Sequence, residues 1–417
     1  MDWFATHESE IRAYSRAYPA VFVKGENARQ TDEDGKEYID FYAGAGVLNF
    51  GHNNPRLIQP VIDYLQSHGV LHTLDMMTPP KREFIKGFVE TILEPRGMNY
   101  RLQFMGPTGT NAVEAALKLA RKVTGRTEVM AFSQGFHGMT LGALACTANS
   151  YFRNAAGTPL DHVAHWPFDT NTGGGLDSLQ ALRAMYENTS GGVEKPAAFI
   201  VEVLQAEGGV NLASREWLQA LQQLARDLGA LFIVDDIQAG CGRTGSYFSF
   251  EDAGIDPDII TLAKGIGGIG TPIAMNLVKP QHDDHWQPGE HTGTFRGQNI
   301  SFVAGREALR YFEDDELMSE TRRKGEVMRA HLEGIAAQYP GKGFSVRGKG
   351  MMQALDVRDG TFSKAVARDC FDHGMLLGPC GVGGEVLKLI PPLTIPDDDL
   401  QAGLQILSDA IARQLEA

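Results

Sequence analysis

The middle of the chain alternates segments of helical and of extended periodicity. Three continuous apolar runs, at residues 196–204, 230–236 and 258–263, lack the polar–apolar alternation of a half-exposed strand. Segments with apolar residues at helical spacing accompany them, at residues 110–123 and 214–229. Strands that are buried on both faces and joined by helices predict an α/β fold, with a mostly parallel sheet sandwiched by helices.

The pattern changes near residue 300. Long helical segments there precede short strand-like runs and a final helix, which predicts a smaller α+β domain. We expect the N-terminal segment to join this second unit. The predicted division is therefore a large domain at residues 51–298 and a small domain formed by residues 1–50 and 299–417.

Composition restricts the partners and the compartment. The net charge of −14 argues against nucleic acid or an anionic membrane as the main partner, because both would repel the protein. No apolar run approaches the ~18 residues of a membrane span, and the N-terminus shows no apolar core of a signal peptide. The four cysteines form no C-x-x-C pair, as in proteins of a reducing compartment. These features predict a cytoplasmic enzyme.

The segment DIITLAKGIGGIGTPIA (258–274) contains a G-x-G-x-x-G pattern at Gly265, Gly267 and Gly270. In a dinucleotide-binding turn, this pattern opens a helix whose N-terminus holds the pyrophosphate. Here Gly270 is followed by Thr-Pro and by IAMNLV, a run without helical period. We therefore predict strand–loop–strand at this point and reject the dehydrogenase that the glycines alone would suggest.

Asp235 and Lys264 end two successive buried runs, and Gln238 follows Asp235 in the next loop. Ligands of parallel α/β sheets bind beyond the carboxyl ends of the strands, so these residues are candidates for one site. The structural alternatives are an Asp–Lys ion pair in the core and a surface lysine with a buried stem. The functional interpretation is that Asp235 faces a cationic cofactor ring while Lys264 attaches to the cofactor.

A third group, Thr108, Gly109 and Thr110, stands where a helical segment begins. Glycine permits close approach, hydroxyls donate hydrogen bonds, and the free N–H groups of a helix N-terminus favour an anion. A threonine in this place can also be a simple helix cap. These three groups together suit pyridoxal 5′-phosphate (PLP). The helix N-terminus could bind its phosphate, the aspartate could face its ring nitrogen, and the lysine could attach to its aldehyde.

The chain resembles the class III aminotransferases over essentially its whole length. The motifs that carry this resemblance are DFYAGAGVLNFGHNNP, PTGTNAVEAALK, GFHGMT, VEVLQAEGG, VDDIQAGCGRTG, TLAKGIGG, HTGTFRGQN and LKLIPPLTI. The family includes the ornithine, acetylornithine and 4-aminobutyrate enzymes, which have the PLP fold type I. The resemblance implies that fold, PLP as cofactor, and a homodimer or a dimer of dimers with active sites at the subunit interface.

The resemblance also implies roles for single residues. Lys264 would attach to the cofactor aldehyde and later move a substrate proton, and Asp235 would keep the ring nitrogen protonated. The other cofactor-binding residues would be Thr108, Gly109, Thr110, Phe136, Glu202, Gln238 and Thr294, the last reaching the phosphate of the neighbouring subunit. His137 matches a motif position without a clear role. Because Lys264 must be neutral to react, we expect its pKa to lie below the ordinary value.

Two motifs, YIDFYAGAGVLNFGHNNP and HWQPGEHTGTFRGQN, are most similar to the diaminobutyrate–2-oxoglutarate aminotransferases of ectoine biosynthesis. That similarity implies transfer between L-glutamate and the terminal position of L-2,4-diaminobutyrate, whose oxo form is L-aspartate 4-semialdehyde. Such an enzyme needs a cation for the α-carboxylate of glutamate and must mask it for the other substrate. In ornithine-type relatives, an arginine before PPL is the cation and a glutamate matching Glu207 masks it.

Lys388 stands at the position of that arginine. Lysine lacks the planar fork that binds a carboxylate through two bonds. We expect Lys388 to pair with Glu207 and to bind substrate, with a solvent-facing strand lysine as the alternative. Asn111 and Met139 depart from the usual acidic residue and arginine of the family. Another class III ω-aminotransferase, for ornithine, acetylornithine or 4-aminobutyrate, therefore stays open.

Two other classes of protein fit the sequence less well. The histidine pairs HVAH (162–165) and HDDH (282–285) lie in polar, loop-like sequence without an H-E-x-x-H helix, so we predict no metal site. A non-catalytic member of the fold would lack the lysine or the aspartate, and both are present. We therefore expect an enzyme whose partners are small amino and oxo acids.

Overall fold

Helices and strands alternate along residues 3–416, which the computed structural model describes. The α-helices are α1 Trp3–His7, α2 Tyr14–Ala17, α3 Ala43–Gly46, α4 Pro55–Gln66, α5 Pro79–Phe88, α6 Gly109–Thr124, α7 Leu141–Cys146, α8 Ser150–Asn154, α9 Leu176–Glu187, α10 Arg215–Leu228, α11 Pro280–Asp283, α12 Asn299–Leu309, α13 Glu316–Gln338, α14 Gly360–Asp372 and α15 Asp397–Glu416. The β-strands are β1 Phe22–Glu26, β2 Arg29–Asp32, β3 Glu37–Asp40, β4 Arg101–Phe104, β5 Val129–Phe132, β6 Val163–Trp166, β7 Ala198–Val201, β8 Leu204–Gln205, β9 Asn211–Leu212, β10 Leu231–Asp235, β11 Ile259–Leu262, β12 Met275–Val278, β13 Ser345–Lys349, β14 Met352–Asp356, β15 Met375–Leu376, β16 Gly378–Cys380 and β17 Val386–Leu389.

Seven strands form the large sheet, in the order β4-β12-β11-β10-β7-β5-β6. Strand β10 is parallel to β7 and β11, and β5 is parallel to β6 and β7. Strand β12 is antiparallel to both β11 and β4, since residues 263–274 contain no α-helix to carry the chain across the sheet. The predicted α/β fold with a mostly parallel sheet is confirmed.

Helices cover both faces of the large sheet. In β10, Phe232 and Val234 pack in the same core as Trp217 of α10, whereas Ile233 packs in a core with Val113 of α6. Because successive side chains of a strand point to opposite faces, α10 and α6 lie on opposite sides. The runs expected to be buried strands are therefore buried on both faces.

Helix α10 has the ends that its sequence predicts. The Ser214 hydroxyl accepts a hydrogen bond from the N–H of Trp217 at 3.3 Å, which caps the first turn. Gly229 ends the helix in the left-handed region, with φ of 62°, where a residue with a side chain would be strained. Both cap residues fix where this helix meets the sheet.

Two further sheets have four strands each, and β8 and β9 form a two-stranded antiparallel sheet. The C-terminal sheet has the order β13-β14-β17-β16 and is antiparallel throughout. The N-terminal sheet has the order β1-β2-β3-β15, so the start of the chain pairs with a strand from its C-terminal part. The predicted division into a large domain at residues 51–298 and a small domain at residues 1–50 and 299–417 stays a prediction. Across residues 3–416, no helix combines the length and apolar character that crossing a membrane requires.

Candidate active site

Neighbouring strands of the large sheet end beside the same cavity. Phe136 and His137 follow β5, Glu202 follows β7 directly, Asp235 is the last residue of β10, and Lys264 follows β11. Strands β5, β7, β10 and β11 are parallel neighbours, so their carboxyl ends lie along one edge of the sheet. Side chains distant in sequence are thereby brought together where α/β proteins bind ligands.

The cavity at this edge has a volume of about 360 Å³. That lies within the roughly 300–1,000 Å³ typical of sites for small ligands. The predicted site residues that line it are Thr108, Gly109, Thr110, Phe136, Glu202, Glu207, Asp235, Gln238 and Lys264. Two other predicted residues, Thr294 and Lys388, lie outside this lining.

Lys264 opens a short 3₁₀ turn, Lys264–Gly267, and has a φ of 53°. A positive φ is uncommon for a residue with a side chain, and such strain concentrates at functional sites. Burial lowers the pKa of the Lys264 amine to about 8, although the carboxylate of Glu207 opposes this effect. The amine is therefore easily neutral, as attack on an aldehyde requires.

Asp235 is held by a buried histidine. Its Oδ2 lies 2.8 Å from Nδ1 of His137, and both side chains are almost fully buried. The other oxygen, Oδ1, accepts a hydrogen bond from the N–H of Ile237 at 3.2 Å. Burial alone would lower the pKa of His137, but the hydrogen bond to Asp235 outweighs it and raises the pKa. Sequence reasoning left His137 without a role, and the structure makes it a positioning residue for Asp235.

The N-terminus of α6 forms another wall of the cavity, with Thr108, Gly109 and Thr110 in its lining. Thr108 is extended, and its hydroxyl accepts no hydrogen bond from a backbone N–H of the helix, so the simple-cap alternative is wrong. Its hydroxyl accepts instead from the amide of Asn111 at 2.9 Å. A Cβ at Gly109 would come within 2.9 Å of the end of the Ile237 side chain, so a side chain at this position would displace Ile237. Uncapped N–H groups at a sixteen-residue helix favour an anion.

Lys388 and Glu207 form an ion pair between two sheets. Nζ of Lys388, on β17, lies 2.6 Å from Oε1 of Glu207, in the segment between β8 and β9. The Lys388 side chain is 1% exposed and that of Glu207 is 35% exposed, so the solvent-facing alternative for Lys388 is wrong. Burial favours a higher pKa for Glu207, but Lys388 and Lys264 outweigh it and lower the pKa to about 2.

The short element α3, Ala43–Gly46, is a single left-handed turn and no right-handed helix, and it lies against this pair. Its four residues have φ between 48° and 85°, and Asp40 holds it by accepting from the N–H of Ala43 at 2.7 Å. The carbonyl of Ala45 accepts a hydrogen bond from Nε2 of Gln238 at 2.7 Å. Oε1 of the same amide lies 3.5 Å from Nζ of Lys388. Sequence reasoning missed this turn, although the letters Ala-Gly-Ala-Gly were the available signal.

Thr294 lies away from the cavity of its own chain. Its carbonyl accepts a hydrogen bond from Nε2 of His72 at 2.7 Å, and the residue is exposed. Its predicted contact with a phosphate of a neighbouring subunit stays a prediction. As for metals, residues 3–416 contain no group of three or more His, Cys, Asp or Glu side chains arranged to hold an ion.

The family model of the class III aminotransferases matches residues 12–411. The chain belongs to this family. A diaminobutyrate–2-oxoglutarate transaminase of Nocardia farcinica is 51% identical over 409 residues, covering 98% of this chain and 93% of the relative. A transaminase of the same name from Halalkalibacterium halodurans is 47% identical over 416 residues, covering 100% of this chain and 97% of the relative.

A solved structure supports the same family assignment. The ornithine aminotransferase of Toxoplasma gondii is 27% identical, with a TM-score of 0.86 over 99% of this chain and 94% of that one. A second structure of that enzyme is described as having partial occupancy of PLP at its active site. The likeness covers 99% of this chain, and therefore all the segments that line the cavity in this class III aminotransferase.

The cavity fits the cofactor expected of this aminotransferase. The phosphate of PLP would lie at the N-terminus of α6, its cationic ring nitrogen at Asp235, and its aldehyde carbon at Lys264. When bound, PLP withdraws electrons from the substrate carbon that loses a proton. The residue roles themselves stay predictions, while the structure supplies a buried carboxylate, a lysine of lowered pKa and an anion-binding helix end on one cavity.

Proposed function

We propose that this class III aminotransferase uses PLP to move an amino group between L-glutamate and the terminal carbon of L-2,4-diaminobutyrate. The oxo partners are 2-oxoglutarate and L-aspartate 4-semialdehyde. The observation that carries the proposal is the identity of 47–51% over nearly the whole chain to transaminases that bear this substrate's name. The ion pair between the buried Lys388 and the half-buried Glu207 supplies a physical reason why two unlike substrates can bind.

The residues of the cofactor end divide the work of proton transfer and charge placement. Lys264, with its pKa near 8, takes the proton from the reacting substrate carbon and returns it to the product, because its neutral form is accessible. Asp235 holds a proton on the ring nitrogen, and His137 fixes the orientation of the Asp235 carboxylate. Phe136 lines the cavity and would stack on the ring.

The substrate end must accept either a carboxylate or an ammonium group. Glutamate carries its α-carboxylate next to the reacting amine, and the buried ammonium of Lys388 is a cation that would bind it. Diaminobutyrate reacts through its terminal carbon, which carries no carboxylate to bind Lys388. When it binds, Glu207 neutralises Lys388 and no cation is left buried without a partner.

A substrate panel tests the proposal. Diaminobutyrate, ornithine, N-acetylornithine and 4-aminobutyrate are supplied with 2-oxoglutarate, and glutamate formation is measured for each. We expect the largest kcat/KM for diaminobutyrate. A preference for ornithine or 4-aminobutyrate would replace the substrate assignment and leave the aminotransferase family intact.

We also infer that the protein works as a homodimer, or a dimer of dimers, with its active sites at the interface. Apolar side chains are exposed on residues 70–77 and beside Thr294, namely Val70, Leu71, Leu74, Met76, Met77 and Phe295. The hydrogen bond from His72 to Thr294 joins the two segments into one patch. A patch of this kind is a candidate for burial against a second copy.

Charge in this patch would separate the subunits. Met77→Asp combined with Phe295→Glu is expected to give a monomer in sedimentation and to reduce turnover, because Thr294 could then reach no neighbouring phosphate. Val193→Asp, on a loop outside the patch, is the control. A wild-type protein that is monomeric and active would overturn the inference.

The cellular setting follows from the same proposal. Four free, buried cysteines suit a reducing compartment, so we place the enzyme in the cytoplasm. Diaminobutyrate is the precursor of ectoine, and we propose that route as the one served. Loss of ectoine from cells that lack the gene, with recovery on added diaminobutyrate, is the expected result. An unchanged ectoine content would assign the enzyme to another diamine route.

A further inference from the structure

A side chamber of about 230 Å³ adjoins the active-site cavity. The two spaces share Phe136 and Glu207 as lining residues. On its other sides the side chamber is lined by Asn149, Ser150 and Val382, among others. Glu207 therefore borders two spaces, and its side chain has somewhere to go other than toward the cofactor.

The backbone at Glu207 is held while its side chain is not enclosed. The carbonyl of Glu207 accepts a hydrogen bond from the N–H of Gly381 at 3.0 Å. Gly381 lies at the tip of the hairpin formed by β16 and β17, and β17 carries Lys388. If the ion pair opens, the backbone bond keeps residue 207 in place, so the movement is a rotation of the side chain.

The side chamber offers a donor for a displaced carboxylate. The side-chain oxygen of Asn149 accepts from the N–H of Tyr151 at 2.9 Å, as the N-cap of α8. This leaves the amide nitrogen of Asn149 for another partner, and Ser150 lines the same side chamber. A carboxylate that leaves a lysine needs such donors, because an ionised group without hydrogen bonds is costly to bury.

We propose that the side chamber receives the Glu207 carboxylate when a dicarboxylic substrate binds Lys388, with the Asn149 amide as its donor. The inference rests on the proposed two-substrate function, and it names the place to which the Glu207 carboxylate moves when the ion pair opens. The ion pair closes again when the α-carboxylate leaves. Asn149, Ser150 and Val382 are then determinants of which substrate the enzyme accepts, although none of them contacts the reacting carbon.

Asn149→Asp tests the charge in the side chamber. Aspartate retains the helix cap but places a negative charge where the Glu207 carboxylate would move. We expect the KM for glutamate and for 2-oxoglutarate to rise about tenfold, since a like charge in contact shifts such equilibria by one unit or more. The half-reaction with diaminobutyrate, followed by the absorbance of the cofactor, should be unchanged. Asn188→Asp, which adds the same charge at an exposed turn, is the control.

Val382→Phe tests the space itself. Val382 is exposed at the hairpin tip, so the larger ring fills the side chamber without disturbing the core. We expect the same selective loss with dicarboxylic substrates, and no loss in the control Val193→Phe. If either variant impairs the diaminobutyrate half-reaction as much as the glutamate one, the side chamber holds substrate and the proposal is wrong. If neither changes the glutamate half-reaction, Glu207 does not move there.

These outcomes are separate from those of the proposed function. Should diaminobutyrate prove a poor substrate, the amine half-reaction is measured with the best amine of the panel. The glutamate half-reaction still reports whether Glu207 uses the side chamber. A failure of the substrate assignment therefore leaves the movement of Glu207 testable by the same two variants.

Discussion

Two glutamates that line one cavity have pKa values shifted in opposite directions. Glu202, at the end of β7, is buried without a lysine or arginine partner, and its Oε2 accepts from the N–H of Phe136 at 2.9 Å. Burial raises the pKa of Glu202 to about 7, with Asp235 adding to the effect. Burial acts the same way on Glu207, but Lys388 and Lys264 outweigh it and lower its pKa to about 2. Environment, and not residue type, separates the two.

Under the proposed function, the cavity would have a fixed end next to the cofactor and an exchangeable end next to the substrate. At the cofactor end, Glu202, Asp235 and Lys264 lie at the carboxyl ends of neighbouring strands of a single sheet and would keep the same contacts for every substrate. At the substrate end, Glu207 and Lys388 come from different sheets and form an ion pair that substrates would open. Variants at the fixed end should affect all substrates alike, and variants at the exchangeable end should discriminate among them.

The largest effect is expected at Lys264. Lys264→Ala should lower turnover by roughly a thousandfold or more for every substrate, because a general base typically contributes 10²–10⁴-fold and the cofactor attachment is lost as well. Turnover is measured with each substrate pair, and folding by circular dichroism. Lys279→Ala, which removes a lysine paired with Asp256 near the surface, is the control. Appreciable transamination by Lys264→Ala would refute the assignment.

Asp235→Asn should have the next largest effect. Without the carboxylate, the pKa of the cofactor ring nitrogen falls by roughly 1–3 units. The reaction should then be roughly 10- to 1,000-fold slower, because its rate depends on the positive charge of that nitrogen. Turnover and a pH titration of the cofactor absorbance check this, with the exposed Asp284→Asn as control. An equal loss with all substrates fits the fixed end, whereas a loss with one substrate only would contradict the comparison.

Lys388→Met should impair the reaction of glutamate more than the reaction of diaminobutyrate. It removes the cation for the glutamate α-carboxylate, and hydrogen bonds to charged groups are worth enough to raise the KM for glutamate about 10- to 100-fold. It also leaves Glu207 without its partner, so the pKa of Glu207 should rise from about 2. Lys388→Arg keeps the charge and should retain most of the glutamate reaction. Equal losses with glutamate and diaminobutyrate would place Lys388 at the fixed end.

The smallest effect concerns stability and pH. The pKa of Glu202 is higher in the folded protein, about 7, than in the unfolded chain, so its contribution is fully present below about 4.5 and is lost as pH rises through 7. Glutamine does not ionise, so Glu202→Gln keeps its stability as the pH rises. The melting temperature of the variant should therefore increase relative to that of the wild type between pH 5 and pH 8. Thermal unfolding of the cofactor-free proteins measures the gap. A gap independent of pH would show that Glu202 is ionised throughout.

The fixed end was largely predictable from the sequence. Continuous apolar runs predicted buried strands, and parallel strands bring the residues after them to one edge, as for Asp235 and Lys264. The pairing of His137 with Asp235 was not predictable, since 98 residues separate them and local patterns do not encode which loop folds over which strand.

The exchangeable end was predictable only through the family resemblance. Glu207 and Lys388 are 181 residues apart, and no periodicity connects them. Gln238 and the left-handed turn at Ala45 are 193 residues apart, and the turn takes a conformation that alanine rarely adopts. Such contacts depend on how the sheets pack together, which propensity and spacing do not determine.

The hairpin of β16 and β17 has a consequence for engineering. Residues 378–389 include Lys388 and hold the backbone of Glu207 through the N–H of Gly381, and none of them lines the active-site cavity. Grafting the counterpart of this stretch from an aminotransferase of other selectivity should therefore redirect the choice of amino donor, while Lys264 and its surroundings remain as they are.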